Sequence, residues 1–152
     1  SCSLYDLASG QIKLFESKKL QLSLEVDDGK CDYFILCDAG LVRQVLTNLL
    51  RNAQESLFEH QVKFPQIIML LQEFEDETTL TISDNGPGFP DMDVTQLIEP
   101  YVTTRQKGTG LGLAIVSKIM DDHSGRLELG KASKGGGASV KLWFRRQQFE
   151  KG

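Results

Sequence analysis

Three glycines alternate in Gly108-Thr109-Gly110-Leu111-Gly112-Leu113, between a polar stretch and an apolar one. Without Cβ atoms, backbone N–H groups there can approach a ligand closely. The following Ala114-Ile115-Val116-Ser117-Lys118-Ile119-Met120 reads as a helix. Bare amides ahead of a helix N-terminus make an anion site, so a phosphate chain is the expected ligand. A P-loop would place Lys and then Ser or Thr after the last glycine, where Leu113 stands. A dinucleotide fingerprint needs G-x-G-x-x-G directly behind a strand. Here the spacing is G-x-G-x-G, and the preceding Thr103-Thr104-Arg105-Gln106-Lys107 is polar.

Two further groups suit a nucleotide. Asn48, Asn52 and Glu55 stand at i, i+4 and i+7, on one side of a helix. A neutral amide oxygen is a hard ligand of the kind Mg²⁺ accepts beside waters and substrate phosphates. Taken alone, the same spacing also fits a solvated polar face. Asp84-Asn85-Gly86-Pro87-Gly88-Phe89 follows an alternating run. Alone it reads as a turn. A carboxylate at that strand end can also accept the exocyclic amino proton of adenine, a contact that the guanine carbonyl refuses.

The elements that must hold these residues are legible in outline. Leu7 to Lys19 carries the spacing of a short, weak helix. Leu20 to Val26 alternates as a half-buried strand, and Asp27-Asp28-Gly29-Lys30 reads as a turn. Tyr33 to Cys37 reads as a short buried strand. Asp38 is placed to cap a helix whose apolar face is Val42, Val45, Leu46, Leu49, Leu50, Ala53 and Leu57. Strands are expected at Gln66 to Phe74 and Thr78 to Ser83. A long loop rich in Gly and Pro, Asp84 to Gly110, precedes the next helix, which runs to about Asp122 with Gly125 as its cap. Two more strands, Arg126 to Leu129 and Ser139 to Phe144, flank Gly135-Gly136-Gly137. This order predicts an α+β fold in two layers, a sheet with helices on one side.

Four ordered segments resemble a known family. Asn48-Leu-Leu-Arg-Asn52-Ala resembles an N box, and Asp84-Asn-Gly-Pro-Gly88 a G1 box. Glu99-Pro-Tyr101-Val-Thr-Thr-Arg105 resembles an F box, and Gly108 to Leu113 a G2 box. From about Leu20 to Phe144 the chain is similar to the catalytic, ATP-binding domain of two-component sensor histidine kinases. Their superfamily includes gyrase, the ninety-kilodalton heat-shock chaperone and MutL. The wording of the F and G2 boxes is nearest the NtrY and NtrB type. The resemblance implies a Bergerat fold: a mixed sheet of about five strands, three helices on one face and a mobile ATP lid.

The same resemblance implies roles. Asn52 would ligate Mg²⁺, with Asn48 beside it. Asp84 would bind adenine, with Gly86 and Gly88 admitting the base. The amides of Gly110, Leu111, Gly112 and Leu113, after Gly108 and Thr109, would hold phosphates. Gly88 to Thr109 would form the lid, anchored by Tyr101. Arg105 and Lys107 are the nearest cations for phosphate charge, and Ser139 would assist at adenine. ATPases of the superfamily carry Glu where Asn48 stands. An amide cannot take a proton from water, whereas a neutral imidazole already presents a lone pair. Asn48 therefore points to phosphoryl transfer to histidine over hydrolysis. Glu55 and Ser56 depart from the Lys and Tyr often found after the N box, which puts one phosphate contact and one stacking face in doubt.

The acceptor is expected elsewhere. His60-Gln61 and His123-Ser124 both lack the acidic residue that follows the histidine of an H box. Both histidines end helices and read as structural. The chain opens on Ser with residues that look mid-domain, so it reads as one catalytic domain of a longer kinase. The expected partners are ATP, a histidine-bearing dimerisation domain of the same kinase and a response-regulator receiver domain. The alternatives are a serine kinase of the anti-sigma-factor type and a nucleotide-binding module without catalysis.

Composition agrees with one ordinary domain: 40% of residues are hydrophobic and 25% charged. Net charge is −4, with no basic run beyond a pair, which argues against nucleic acid. No apolar run reaches the roughly 20 residues of a membrane span. Cys2, Cys31 and Cys37 lack C-x-x-C spacing, which argues against zinc knuckles and fits a reducing cytosol. A cytoplasmic, monomeric domain is expected, within a protein of which many relatives are membrane sensors.

Overall fold

A computed structural model of the chain describes residues 2–27, 33–89, 112–132 and 137–146. The turn residues beyond Asp27 and the whole expected lid beyond Phe89, Tyr101, Arg105 and Lys107 included, lie outside the described residues.

Helix α2 (Ala39–Glu59) is the spine of the helical layer. Asp38 caps it, its side chain accepting from the Leu41 N–H at 3.1 Å. The apolar stripe expected from the 3.6-residue period is the buried one: Val42, Val45, Leu46, Leu49, Leu50, Ala53 and Leu57. Beneath it lies a five-stranded sheet of β2 (Gln21–Val26), β4 (Gln66–Glu73), β5 (Glu77–Asp84), β7 (Ala138–Arg145) and β6 (Arg126–Lys131), in the order β2-β4-β5-β7-β6. β2 runs parallel to β4 and the other pairs are antiparallel, so the sheet is mixed. Ile67, Met69, Leu71, Leu80, Ile82, Val140, Leu142 and Phe144 form its buried face, the alternate positions of three adjacent strands. The opposite face carries Trp143, with Arg126 and Lys141 both over its ring.

Helix α1 (Leu4–Phe15) starts three residues earlier than the sequence spacing predicts. Ser3 caps it by accepting from the Asp6 N–H at 3.2 Å, and Leu4 and Ala8 fill the inner face with Gln11. Gln11 is buried because Thr47 donates to its Oε1 at 3.2 Å, a partner no local pattern reveals. The Tyr33 to Cys37 strand shrinks to β3 (Phe34–Ile35). It pairs with β1 (Cys2–Ser3) as a separate two-stranded sheet.

Helix α3 (Gly112–Asp122) ends differently from expectation. The left-handed residue is Ser124, at φ 56°, rather than Gly125. Gly125 still donates to the Met120 carbonyl at 2.9 Å. Its lack of a side chain serves packing, because a Cβ would strike the Trp143 carbonyl and come within 2.9 Å of Met120 Cε. Among the described residues no helix is long and apolar enough to cross a membrane.

Candidate functional site

The two helices with polar motifs and the ends of three strands meet at one edge of the sandwich. Ile67 pairs with Asp84 and Ser83 with Ser139, so β4, β5 and β7 all reach this edge together. Alternation along β5 puts Asp84 on the helix side with Leu80 and Ile82.

The Asp84 carboxylate is held by backbone. Its Oδ1 accepts from the Gly86 N–H at 2.9 Å and from the Ala138 N–H at 3.3 Å. Burial raises its pKa above the model-compound 3.8, and these two amide contacts lower it against that trend. A half-desolvated carboxylate with its remaining oxygen uncommitted in these contacts suits a neutral N–H donor.

Two glycines make room around it. A Cβ on Gly86 would sit 3.1 Å from Asp84 Oδ1 and 3.3 Å from Leu57 Cδ2 on α2. A Cβ on Gly137 would fall on the Asp84 carbonyl and 2.8 Å from Oδ1. Gly88 has a different reason to be glycine: its φ is 86°, in the left-handed region.

The second half of the site is the contact between α2 and the start of α3. Asn52 is half-buried, and its side-chain amide lies so near Gly112 that a Cβ there would be 3.0 Å from Nδ2 and 3.4 Å from Oδ1. The Asn52 amide thus meets the first residues of a helix whose N-terminal N–H groups have no intrahelical partner. Asn48 lies one turn earlier on the same helix and Glu55 about one turn later, both half-buried.

The structure therefore brings Asn48, Asn52, Asp84, Gly86, Gly88, Gly112 and Leu113 to one edge. Ser139 is a correction. It pairs with Ser83 on the sheet face away from the helices, so it does not join Asp84 there. Its neighbour Ala138 contributes a backbone N–H instead. Gly108, Thr109, Gly110 and Leu111 lie outside the described residues with the lid.

Both histidines are bound to their own helices. His60 Nδ1 meets the Ser56 carbonyl at 2.8 Å, and His123 Nδ1 meets that of Ile119 at 2.8 Å. His123 Nε2 accepts from the Asp38 N–H at 3.0 Å. His123 thereby ties the end of α3 to the cap of α2.

Sequence reasoning passed over Asn85. Its Oδ1 accepts from the Gln66 N–H at 2.9 Å, and its Nδ2 donates to the Phe64 carbonyl at 3.0 Å. It closes the end of the β4–β5 pair where Pro65 has no N–H to offer. An Asn inside a Gly-Pro turn is the one available signal, and it reads equally as turn chemistry.

Residues 37–148 match the family described as histidine kinase-, DNA gyrase B-, and HSP90-like ATPase. Nitrogen regulation protein NtrY of Azorhizobium caulinodans is 45% identical over 108 residues, 69% of this chain and 14% of NtrY. A putative NtrY-like sensor histidine kinase of Rickettsia bellii is 42% identical over 115 residues, 75% of this chain and 18% of the relative. The chain thus spans less than a fifth of these relatives' length. Among solved structures, the nucleotide-free catalytic domain of histidine kinase ThkA superposes with a TM-score of 0.80 at 26% identity, covering 96% of both chains. The mycobacterial sensor kinase MprB shares the fold, with a TM-score of 0.81 at 18% identity over 97% of this chain and 99% of that one. By matched length, identity and architecture, the chain belongs to the histidine kinase-, gyrase B- and HSP90-like ATPase family, as a catalytic domain of the sensor histidine kinase type.

Proposed function

We propose that this domain binds ATP with Mg²⁺ and presents the γ-phosphoryl group to a histidine on a separate dimerisation domain of the same kinase. That histidine would then pass it to a response-regulator receiver domain. The observation that carries this reading is the single edge that joins the amide-fixed Asp84 carboxylate to the contact of Asn52 with the first residue of α3. Base and phosphates of one nucleotide need those two environments at the two ends of one cleft.

Asp84 accepts the adenine amino proton while its other contacts stay on backbone. Gly86 and Gly137 keep side chains out of the space beside it, and the turn at Gly88 is assigned to admit the base. Leu113 and Gly112 offer amides to phosphate oxygens, with Gly108, Thr109, Gly110, Leu111, Arg105 and Lys107 assigned to the same anion by the sequence. The family resemblance assigns Tyr101 as the anchor of the lid. The Asn52 amide oxygen fits a hard cation, and Asn48 stands beside it. When bound, Mg²⁺ neutralises charge on the β- and γ-phosphates. The acceptor imidazole attacks phosphorus with its own lone pair, the bond to the β-phosphate oxygen breaks, and ADP leaves. Asn48 cannot deprotonate a water, so it offers hydrolysis no base.

The test is a mixture of this chain with the separately expressed dimerisation domain and γ-labelled ATP. Label should appear on the dimerisation domain as an acid-labile, base-stable phosphoramidate, and the chain alone should stay unlabelled. An acid-stable label would indicate the serine-kinase alternative, and strong self-labelling of the chain would refute the separate acceptor. Asn52→Ala should cost roughly tenfold or more in ADP affinity with Mg²⁺, since losing even an outer-shell partner of a metal costs that much. Calorimetry without metal should show a change below about twofold; equal losses in both conditions would contradict metal ligation.

A further inference from the structure

Beyond the nucleotide edge, an open groove of about 500 Å³ lies between the end of α2 and the segment that leads from α1 into β2. Phe58, Val62, Phe64 and Pro65 give it an apolar lining, and Lys18 and Lys19 supply the charge. Among the described residues its lining contains no carboxylate. That local charge runs against a chain whose net charge is −4.

The groove is held in a conformation that costs backbone energy. Phe64 is 89% exposed, more than any other large apolar side chain among the described residues. Its φ is 54°, and Gln61 three residues earlier is at 52°. A bulky residue in the left-handed region is an outlier that the surroundings must enforce. The enforcing group is Asn85, whose Nδ2 holds the Phe64 carbonyl while its Oδ1 holds the Gln66 N–H. A hydrophobic ring kept in water by a strained, hydrogen-bonded backbone gains nothing for the isolated fold.

We propose that this groove docks an acidic amphipathic helix of a protein partner. Apolar side chains one turn apart on that helix would cover Phe58 and Phe64, and its carboxylates would meet Lys18 and Lys19. This is helix-in-groove recognition with the charge at the rim selecting the partner. The groove involves neither the Asp84 carboxylate nor Asn52, so the docking stands apart from nucleotide binding.

The test titrates the whole isotope-labelled chain with a synthetic helical peptide carrying two Leu at i and i+4 flanked by Glu. The control peptide has Lys at every Glu position. Amide signals of Lys18, Lys19, Phe58, Val62 and Phe64 should move with the acidic peptide and stay in place with the basic one. Phe64→Ser should weaken binding about tenfold or more, as for loss of a central aromatic anchor, with melting temperature held or raised. Asn85→Ala should also weaken it, by releasing Phe64 without altering a groove side chain. Lys18→Glu with Lys19→Glu should reverse the preference toward the basic peptide. No shifts at millimolar peptide, equal response to both peptides, or shifts mapping outside the groove would overturn the proposal.

Discussion

Replacing Gly137 with alanine should weaken nucleotide binding and destabilise the fold together. Gly137 is buried, and the added Cβ would fall on the Asp84 carbonyl and 2.8 Å from its Oδ1. Neither neighbour is the free end of a flexible chain. Asp84 closes β5, paired to Ile67 on β4, and its Oδ1 is tied to two amides. Either β7 or the end of β5 must shift. The expected cost is about 3 kcal/mol, the upper part of the range for overpacking a tight site, read as a lowered denaturation midpoint. The displaced carboxylate should also lower ADP affinity beyond tenfold under conditions where the variant stays folded. A variant that melts normally and binds ADP normally would show that the β5 end and Gly137 do not form part of the base pocket.

Asp84→Asn should separate binding from stability in the opposite way. The amide keeps an oxygen for the Gly86 and Ala138 N–H groups but removes the charge and can turn a donor toward the adenine amino group. A hydrogen bond to a charged acceptor contributes about 1.5–3 kcal/mol, so ADP affinity should fall roughly 10- to 100-fold. Stability should stay level or rise at pH 7, because the lost charge was half desolvated. The pH dependence follows from the raised pKa. The folded state holds this proton more tightly than the unfolded state, so this carboxyl's contribution to stability is greatest below 3.8 and is lost as pH rises through its raised folded value. Adenine binding runs the other way. It requires the ionised form and should weaken as pH falls through that same raised value. A flat binding profile there, or unchanged affinity in Asp84→Asn, would remove Asp84 from the base contact.

The parts of this domain legible in sequence are those set by local periodicity. The α2 stripe from Val42 to Leu57 and its Asp38 cap follow from 3.6-residue spacing and one capping side chain, and the structure has both. Strands β4 and β5 are the expected ones extended or trimmed by a residue at their ends. The mixed five-stranded sheet with helices on one side follows from the order of these elements and the four-box resemblance.

What escaped is set by long-range partners. Gln11 looks like a break in the α1 stripe until Thr47, 36 residues away, donates to it. Ser124 takes the left-handed position that Gly125 seemed made for, because Gly125 is needed for its closeness to Trp143. Gly137 reads as one of three turn glycines, yet its function is a clearance from Asp84, 53 positions earlier in the chain. Strand parity sends Ser139 to the wrong face and leaves its neighbour's backbone to support the carboxylate. Asn85 and the left-handed Phe64 explain each other and neither is visible alone.

In the proposed complex one adenine nucleotide spans from Asp84 to the start of α3. Titration of the isotope-labelled chain with ADP and Mg²⁺, followed through backbone amide signals, addresses it directly. Saturable shifts are expected at Asp84, Gly86, Ala138, Asn52, Gly112 and Leu113, with an equal concentration of GDP producing little change. Shifts that gather on the far sheet face around Trp143, or an equal response to the guanine nucleotide, would contradict it.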